Sequence, residues 1–456
     1  MTAVEPARAA ALRGPITAGR IVEPVCPIPV DLEGHGYVEE EFFASGTAVA
    51  YRPSAPLTPD GRWTAEPVDE APYATRIVVR RPVGAERSSG TVLVEWCNVS
   101  GGVEAAAEWS YLHEEILRSG HAYVAVSAQA LGVDGGAPLL EVPGVRPRGG
   151  LVGRRPERYG ALGHPGDRFA FDLFSQVGWA LRADGDPPPL GDLPVHRVLA
   201  MGESQSAFFL TTYLNAIHPR TAVYEGFLVH SRGGSAASLS GEPGGDDAVP
   251  DGVHIREDVG APVLIFETET DLGALLRFVS ARQPDSGHIR TWEVAGTAHA
   301  DAYIAGAYAP LLGCDFAVNS GPHHEVVQAA LHALVHWVTE GSPPPVAPPL
   351  ELASTSPPLV ARDELGNARG GVRTPDVEAP VATLSGEAPE GASTLCMLFG
   401  STIPFDGATL RRLYGDEAGY LLAYEAALGA AVAAGFLLPA DCAAMRARAE
   451  RFVFPE

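Results

Sequence analysis

Residues 195–218 read VHRVLAMGESQSAFFLTTYLNAIH, and this stretch decides the fold. The apolar and β-branched run at 195–201 predicts a buried strand, and the periodic apolar residues after the turn predict a helix that ends at Pro219. Between them, the small and polar residues GESQS predict a sharp turn. The predicted order is therefore a strand, a tight elbow and a helix.

The elbow places Ser204 at its centre. A serine hydroxyl becomes an effective nucleophile when it is presented beside a base and beside backbone N–H groups that bind a developing oxyanion. Small residues two positions before and after it let the strand and the helix pass closely. Gly202 meets the first requirement, and Ser206 stands where a second glycine is usual. The alternative is a helix N-cap, in which Ser204 or Ser206 only accepts backbone hydrogen bonds.

The composition argues against a charged partner. The chain has 456 residues, 46% of them apolar, and its 32 basic and 56 acidic side chains give a net charge of −24 and a pI near 4.9. Such a surface repels phosphate backbones, so we expect no nucleic-acid partner. It does not attract anions either, which favours a neutral small-molecule substrate.

The cysteines and the apolar segments indicate the compartment. The five cysteines, at 26, 97, 314, 396 and 442, are odd in number and widely spread, so they predict neither a disulfide framework nor a C-x-x-C metal site. Residues 1–20 lack an unbroken apolar core of signal-peptide length, and no later apolar run could cross a bilayer. We therefore expect a soluble cytoplasmic protein with no membrane partner.

The rest of the chain predicts an α/β protein. Strand patterns at 36–53 and 74–82 follow each other without a helix, which suggests an antiparallel start to a sheet. Buried strands at 91–98 and 121–129 flank a helix at 105–119, the order of a parallel βαβ unit. Later strands are predicted at 224–234, 261–272 and 288–301, which gives a mostly parallel central sheet flanked by helices.

The predicted organisation has three parts. Residues 1–35 form an N-terminal strap, residues 36–341 form the core, and residues 342–456 form a mixed appendage that packs on the core after a stiff Pro-rich connector. Irregular excursions near 131–166 and 235–258 are long enough to cover or shape a pocket. An exposed, mobile loop is the alternative for such an excursion.

The order of the chemistry-bearing residues points to a function. Ser204 comes first, a carboxylate after a later strand comes second and His299 comes third, which is the chain order of an α/β-hydrolase. His299 would be the base, although a structural hydrogen bond is the alternative for any single histidine. We favour Asp271 as the acid over Glu269, which would share its face if the strand continued that far, and Glu267 is a more distant choice.

Motifs along nearly the whole chain also resemble those of one family. They are GYVEEEFFASGTAVAY, EWCNVSGG, ERYGALGHPGD, GESQSAFFLTTYLNAIHP, GFLVHSRGG, ETETDL, GTAHAD and RDELGNARGGVRTPDVEAPVATLSG. From about residue 14 to the C-terminus the chain is similar to the bacterial "alpha/beta hydrolase domain" family, large serine-hydrolase-like proteins mostly of unassigned substrate. The resemblance implies the α/β-hydrolase fold, and it implies that serine in place of the second elbow glycine is a family feature.

The oxyanion hole needs two backbone donors. The first would be the N–H of Gln205, which follows the nucleophile, and the second would come from the loop after the earlier strand, with Val99 or Ser100 as the donor. Taken alone, the SGG sequence of that loop would be a plain turn.

Other polar residues are candidates for the substrate pocket. Asn98, His230 and Arg232 are predicted to contact substrate, and for the last two a structural ion pair is the alternative. His332 and His336 stand four apart on a predicted helix, but no third ligand motif accompanies them, so we expect no metal and no cofactor.

Two functional classes remain. The first is a serine esterase that hydrolyses a neutral carboxylic ester or lactone through an acyl-enzyme, with acyl transfer or cyclisation by the same triad as its close relative. The second is a non-catalytic small-molecule-binding protein on a hydrolase scaffold. The acyl group, the alcohol and the oligomeric state do not follow from the sequence.

Overall fold

The computed structural model describes residues 8–26, 28–142, 149–183, 188–241 and 248–456. The chain divides into two compact units. The N-terminal unit comprises Met1–Val263 and Ser280–Ile289, and the C-terminal unit comprises Leu264–Val279 and Arg290–Glu456. The three-part division expected from the sequence stays a prediction.

A mixed sheet forms the centre of the N-terminal unit. Its strands run in the order β1-β2-β3-β5-β4-β6-β7, with antiparallel pairing from β1 to β5 and parallel pairing from β5 to β7. The strands are β1 (Ala11–Arg13), β2 (Tyr37–Pro53), β3 (Ala65–Pro82), β4 (Thr91–Trp96), β5 (Ala122–Val126), β6 (Arg197–Glu203) and β7 (Gly226–His230).

The parallel strands match their apolar sequences. Every residue of β4, β5 and β7 is buried, as expected for strands that are covered on both faces. The antiparallel start to the sheet is also confirmed, but β3 begins nine residues earlier than the expected residue 74, at Ala65. The reason is pairing with β2, which holds this polar stretch in the ladder as far as the Pro53–Ala65 pair.

Helices cover the sheet of the N-terminal unit. The longest are α1, predicted at 105–119, and α5, on which all residues but Trp179 are buried. The helices are α1 (Ala107–Arg118), α2 (Ala130–Val133), α3 (Gly150–Arg154), α4 (Pro156–Tyr159), α5 (Ala170–Ala180), α6 (Gln205–Thr212) and α7 (His218–Thr221).

The helix after the elbow does not end at Pro219, so that expectation is wrong. The α6 helix passes into a π-helical turn at Tyr213–Ile217, and α7 then starts at His218. Pro219 lies in the first turn of α7, where a backbone N–H has no helical partner and proline therefore costs nothing.

The two excursions differ in structure. The first contains the short helices α2, α3 and α4, while its residues 143–148 lie outside the described part of the chain. The second contains no helix or strand in its described residues 235–241 and 248–258, in agreement with the expected loop.

The C-terminal unit contains most of β8 and β9 and all later elements. None of the helices built from described residues is long and apolar enough to span a membrane. The elements are β8 (Val263–Thr268), α8 (Glu269–Leu272), β9 (Ile289–Val294), α9 (Ala302–Ala305), α10 (His323–Glu340), β10 (Leu352–Thr355), β11 (Pro358–Val360), α11 (Pro375–Glu378), β12 (Ala382–Ser385), α12 (Thr394–Leu398), β13 (Ser401–Pro404), α13 (Gly407–Tyr414), α14 (Glu417–Ala433) and α15 (Cys442–Glu450).

One disulfide joins Cys314 and Cys396 within the C-terminal unit. The two residues are 82 positions apart, with Cα atoms separated by 5.7 Å. The expectation that the cysteines form no disulfide framework missed this bond, because it is the fold that brings Cys314 next to Cys396 on α12.

A buried ion cluster fastens the antiparallel half of the sheet. Glu41 on β2 accepts hydrogen bonds from Arg158 Nε at 2.6 Å and from the Tyr159 hydroxyl at 2.8 Å, and it lies 3.4 Å from Arg76 Nη1 on β3. Arg76 also pairs with Glu104. The side chains of Glu41 and Arg76 are 1% exposed, so each charge depends on its partners for stabilisation.

We predict that Glu41→Gln lowers the free energy of unfolding by about 3–5 kcal/mol, because two buried guanidinium groups lose their shared counter-charge. The matched control is Glu66→Gln, which breaks the exposed pair with Arg52 on the same two strands and is expected to cost less than about 1 kcal/mol. Thermal and denaturant unfolding of both variants provide the measurement. Equal losses would contradict the role given to the cluster.

Candidate active site

Ser204 occupies a sharp turn between β6 and α6. Its backbone has φ 58° and ψ −121°, a conformation that residues other than glycine adopt only under strain of about 1–3 kcal/mol. Its N–H donates to the carbonyl oxygen of His230 at 2.9 Å, which fixes the turn to the end of β7. This is the geometry of a nucleophile elbow.

The residues on either side of Ser204 pack tightly. A Cβ added to Gly202 would lie 3.0 Å from Cβ of Ser206 and 3.1 Å from Leu210, so a larger residue there would require these neighbours to shift. Ser206 is fully buried, and its hydroxyl has no hydrogen-bond partner in the described part of the chain. The side chain of Ser204 does not cap α6 either, so the N-cap alternative is wrong for both serines.

The loop after β4 meets the elbow through Asn98 and Val99. Asn98 Nδ2 donates to the carbonyl oxygen of Glu203 at 3.2 Å, and Asn98 Oδ1 accepts the N–H of Ser100 at 2.9 Å. The Val99 N–H donates to Gln205 Oε1 at 3.4 Å, a long contact. These contacts give Asn98 a positioning role and favour Val99 over Ser100 as an oxyanion donor, since the Ser100 N–H is engaged within its own turn.

In the C-terminal unit, Asp271 and His299 form a hydrogen-bonded pair. Asp271 Oδ1 lies 2.7 Å from His299 Nδ1, and both residues are buried. Asp271 Oδ2 accepts the backbone N–H of Thr268 at 2.6 Å and its hydroxyl at 2.8 Å, which forms a capping box at the start of α8. The carboxylate is therefore held on one oxygen and presented to the imidazole by the other.

The local structure differs from the expected strand end. β8 stops at Thr268, and Asp271 lies on the one-turn helix α8. Glu269 consequently does not share a face with Asp271. Its Oε1 accepts the N–H of Gly296 at 2.6 Å, and its Oε2 accepts the N–H of Gly386 at 3.1 Å and lies 3.2 Å from Arg362 Nη2.

These contacts favour a structural role for Glu269. Burial raises its pKa, while Arg362 and the two N–H donors act in the opposite direction. Glu267, the third candidate acid, is fully buried at the end of β8. The hydrogen bond to His299 described above comes from Asp271.

The backbone at His299 is held by residues that the sequence analysis did not identify. The Thr270 hydroxyl accepts the His299 N–H at 3.2 Å and donates to the Gly386 carbonyl at 2.7 Å. His323 Nδ1 lies 3.1 Å from the Ala298 carbonyl, and its ring stacks on Phe266. None of these residues forms a local motif with His299. Two of them, Thr270 and Gly386, lie in the ETETDL and LSG segments that resemble the family.

The contacts of His230 and Arg232 support the structural alternative rather than substrate binding. His230 Nδ1 lies 3.2 Å from Glu108 Oε2, and burial raises the pKa of that glutamate. Arg232 is fully buried, with Nε donating to the Gly233 carbonyl at 3.2 Å and Nη2 donating to the Val253 carbonyl.

A metal site finds no support in the described residues. No group of three or more histidine, cysteine, aspartate or glutamate side chains is arranged there to hold an ion. His336 Nε2 instead lies 3.1 Å from Glu340 on the next turn of α10.

A cavity of about 750 Å³ adjoins the elbow within the N-terminal unit. Val99 and Gln205 lie in its wall beside apolar side chains such as Phe208. The two candidate oxyanion donors thus belong to residues that line one cavity, which has the size of a small-molecule site.

The family model described as "Alpha/beta hydrolase domain" matches residues 12–447. The chain belongs to this family. The match runs through both compact units and includes the elbow, the loop after β4 and the Asp271–His299 pair. The family relationship expected from the motifs and the α/β-hydrolase fold are confirmed.

Solved structures give more distant matches. A glucuronoyl esterase from Solibacter usitatus is 13% identical, with 64% of this chain and 84% of that chain covered and a TM-score of 0.31. A carbohydrate esterase family 15 glucuronoyl esterase from Caldicellulosiruptor kristjansonii is 11% identical, with coverage of 65% and 79% and a TM-score of 0.30. No curated protein matches the chain. Likeness at this level does not bear on the chemistry of this family member.

We predict that Gly386→Ala lowers the free energy of unfolding by about 1–3 kcal/mol, since the new Cβ would lie 2.4 Å from the Thr270 nitrogen and 2.5 Å from Glu269 Cβ. The control is Gly429→Ala on α14, where the added Cβ meets nothing within 4 Å and helix propensity predicts a gain of up to about 1 kcal/mol. Thermal unfolding measures both. An unchanged free energy of unfolding in Gly386→Ala would show that the chain at Gly386 does not stabilise α8.

Proposed function

We propose that the chain is a serine hydrolase that cleaves a neutral carboxylic ester or lactone, with Ser204 as nucleophile, His299 as base and Asp271 as the acid of the triad. The observation that carries the proposal is the strained backbone of Ser204 at the β6–α6 turn. Such strain persists where the surrounding structure enforces it, and in this family fold it presents a hydroxyl for attack.

The Asp271–His299 pair supports the second part of the proposal. With Nδ1 facing the carboxylate at 2.7 Å, the tautomer with hydrogen on Nδ1 is favoured, and Nε2 is left as the basic nitrogen. Nε2 takes the proton of Ser204 as Oγ attacks the ester carbonyl. The fixed carboxylate then stabilises the imidazolium that forms.

The developing oxyanion requires donors beside Ser204. The Gln205 N–H belongs to the first turn of α6, where backbone donors have no intrahelical acceptor. The Val99 N–H is the second donor, since its 3.4 Å contact to Gln205 Oε1 is weak enough to be replaced by a charged oxygen. Collapse of the tetrahedral intermediate expels the alcohol, which takes the proton from His299, and water then hydrolyses the acyl-enzyme by the same steps.

A fluorophosphonate probe tests the nucleophile. We predict that the wild-type protein gains the mass of one phosphonyl group and that Ser204→Ala does not, because the probe reacts with an activated serine. The matched control is Ser206→Ala, which removes a buried serine two residues away and is expected to keep the label. A folded wild-type protein that stays unlabelled would favour the non-catalytic binding protein.

The acid is tested by turnover of an activated ester. We predict that Asp271→Asn lowers kcat by about 10⁴-fold at unchanged fold, because the amide no longer enforces the tautomer or stabilises the imidazolium. Glu269→Gln is the comparison, and its effect is expected in the unfolding temperature more than in kcat. A larger loss of kcat in Glu269→Gln than in Asp271→Asn would reverse the assignment.

A further inference from the structure

The cavity beside the elbow is lined by both apolar and polar side chains. The apolar ones include Leu131, Phe208, Phe209 and Val249. Among the polar ones, Gln129, Asp167 and Gln205 are joined by hydrogen bonds, and we call these three residues the polar wall. Among the described residues that line the cavity there is no lysine, arginine or histidine, so no cation faces it from them.

The polar wall is a directed row of hydrogen bonds. It begins at the Val99 N–H, which donates to Gln205 Oε1. Gln205 Nε2 donates to Gln129 Oε1 at 2.9 Å, and Gln129 Nε2 donates to Asp167 Oδ2 at 3.0 Å. The Trp96 indole N–H also donates to Gln129 Oε1 at 3.1 Å, which fixes the orientation of that amide. Every donor therefore points toward the carboxylate.

Asp167 ends the row as an acceptor. Its Oδ1 accepts the Ala130 N–H at 2.7 Å, so in the described part of the chain each carboxylate oxygen has one donor. A carboxylate oxygen can accept a second hydrogen bond. The neighbouring Arg168 does not neutralise it in the described contacts, because its guanidinium pairs with Asp69. The row that begins at Val99 thus ends in a negative charge with acceptor capacity to spare.

We propose that this cavity binds a mostly apolar portion of the substrate that carries a hydroxyl or an ammonium group at the end distant from the ester. Asp167 accepts a hydrogen bond from this group. Substrates with a carboxylate at the same position are excluded. The inference rests on the proposed hydrolase function and specifies its substrate class. An aliphatic or aromatic chain can pack on the apolar lining residues, while a carboxylate would meet Asp167 where none of the described lining residues supplies a cation.

The experiment uses p-nitrophenyl esters with a common leaving group. The acyl chains are hexanoate and its terminally hydroxylated, aminated and carboxylated analogues. We predict a wild-type kcat/KM for the hydroxyl or amino ester at least about 100-fold above that for the carboxylated ester, as expected for like charges in a cavity. Preference between the hydroxyl and amino esters identifies the donor.

Asp167→Asn is expected to reduce that ratio about tenfold or more, because the charge is removed while the shape is nearly kept. The control is Asp192→Asn, an exposed carboxylate outside the cavity lining that makes the same change in net charge, and its ratio should equal that of the wild type. An unchanged ratio in Asp167→Asn, or equal wild-type hydrolysis of the carboxylated and hydroxylated esters, overturns the inference while leaving the hydrolase proposal intact.

Ala237→Phe keeps the inference testable if Asp167→Asn fails to fold. Ala237 lines the cavity, and a larger side chain should lower the kcat/KM ratio of hexanoate to acetate ester about tenfold. An unchanged ratio would show that the acyl chain does not enter this cavity. If the wild-type protein hydrolyses no ester and takes no fluorophosphonate label, the hydrolase proposal itself fails.

Discussion

The hydrogen bond between Asp271 and His299 depends on the one-turn helix α8, which has only four residues. Because β8 ends at Thr268 and the chain turns at once into α8, the Thr268 N–H and hydroxyl hold one oxygen of Asp271 and direct the other to the imidazole. A longer strand would have pointed the carboxylate elsewhere. Two later residues stabilise this turn, since Gly386 and Arg362 both bind Glu269, the first residue of α8. Residues far along the chain therefore hold the turn that positions Asp271.

The elbow in the N-terminal unit holds the backbone of Ser204 in a strained conformation, which must be stabilised by its surroundings. The strain at Ser204 is balanced by the hydrogen bond to the His230 carbonyl and by close packing of Gly202 on Ser206. Serine at the second position is accommodated because its side chain is fully buried against this glycine, which has no Cβ to oppose it. The departure from the usual two-glycine elbow is thus a packing variant.

Periodicity and residue order in the sequence were enough to predict the parallel strands, the elbow and the pairing of Asp271 with His299, because buried strands appear as apolar runs and the elbow has a local motif. The one-turn helix was missed, since a single turn has no periodicity and ETETDL looks like a strand end. The residues that bind Glu269 could not be predicted from the sequence. Arg362 and Gly386 follow it by 93 and 117 residues, and neither belongs to a recognisable motif. For His230 and Arg232, position at a strand end predicted exposure to substrate, but partners across the core, such as Glu108 and Val253, occupy them.

Net charge and cavity charge act on a substrate over different distances. The formal charge of −24 is screened beyond about 8–10 Å at physiological ionic strength, so it slows the approach of anions but does not select among bound molecules. A single carboxylate inside a partly desolvated cavity acts at contact distance, where screening is weak. Asp167 is held there by two backbone or amide donors, and the row of glutamines links its position to that of the Val99 N–H. When an oxyanion takes the Val99 N–H, the Gln205–Gln129–Asp167 part of the row can stay intact, so a donor group bound to Asp167 would still be held at a fixed position relative to the elbow.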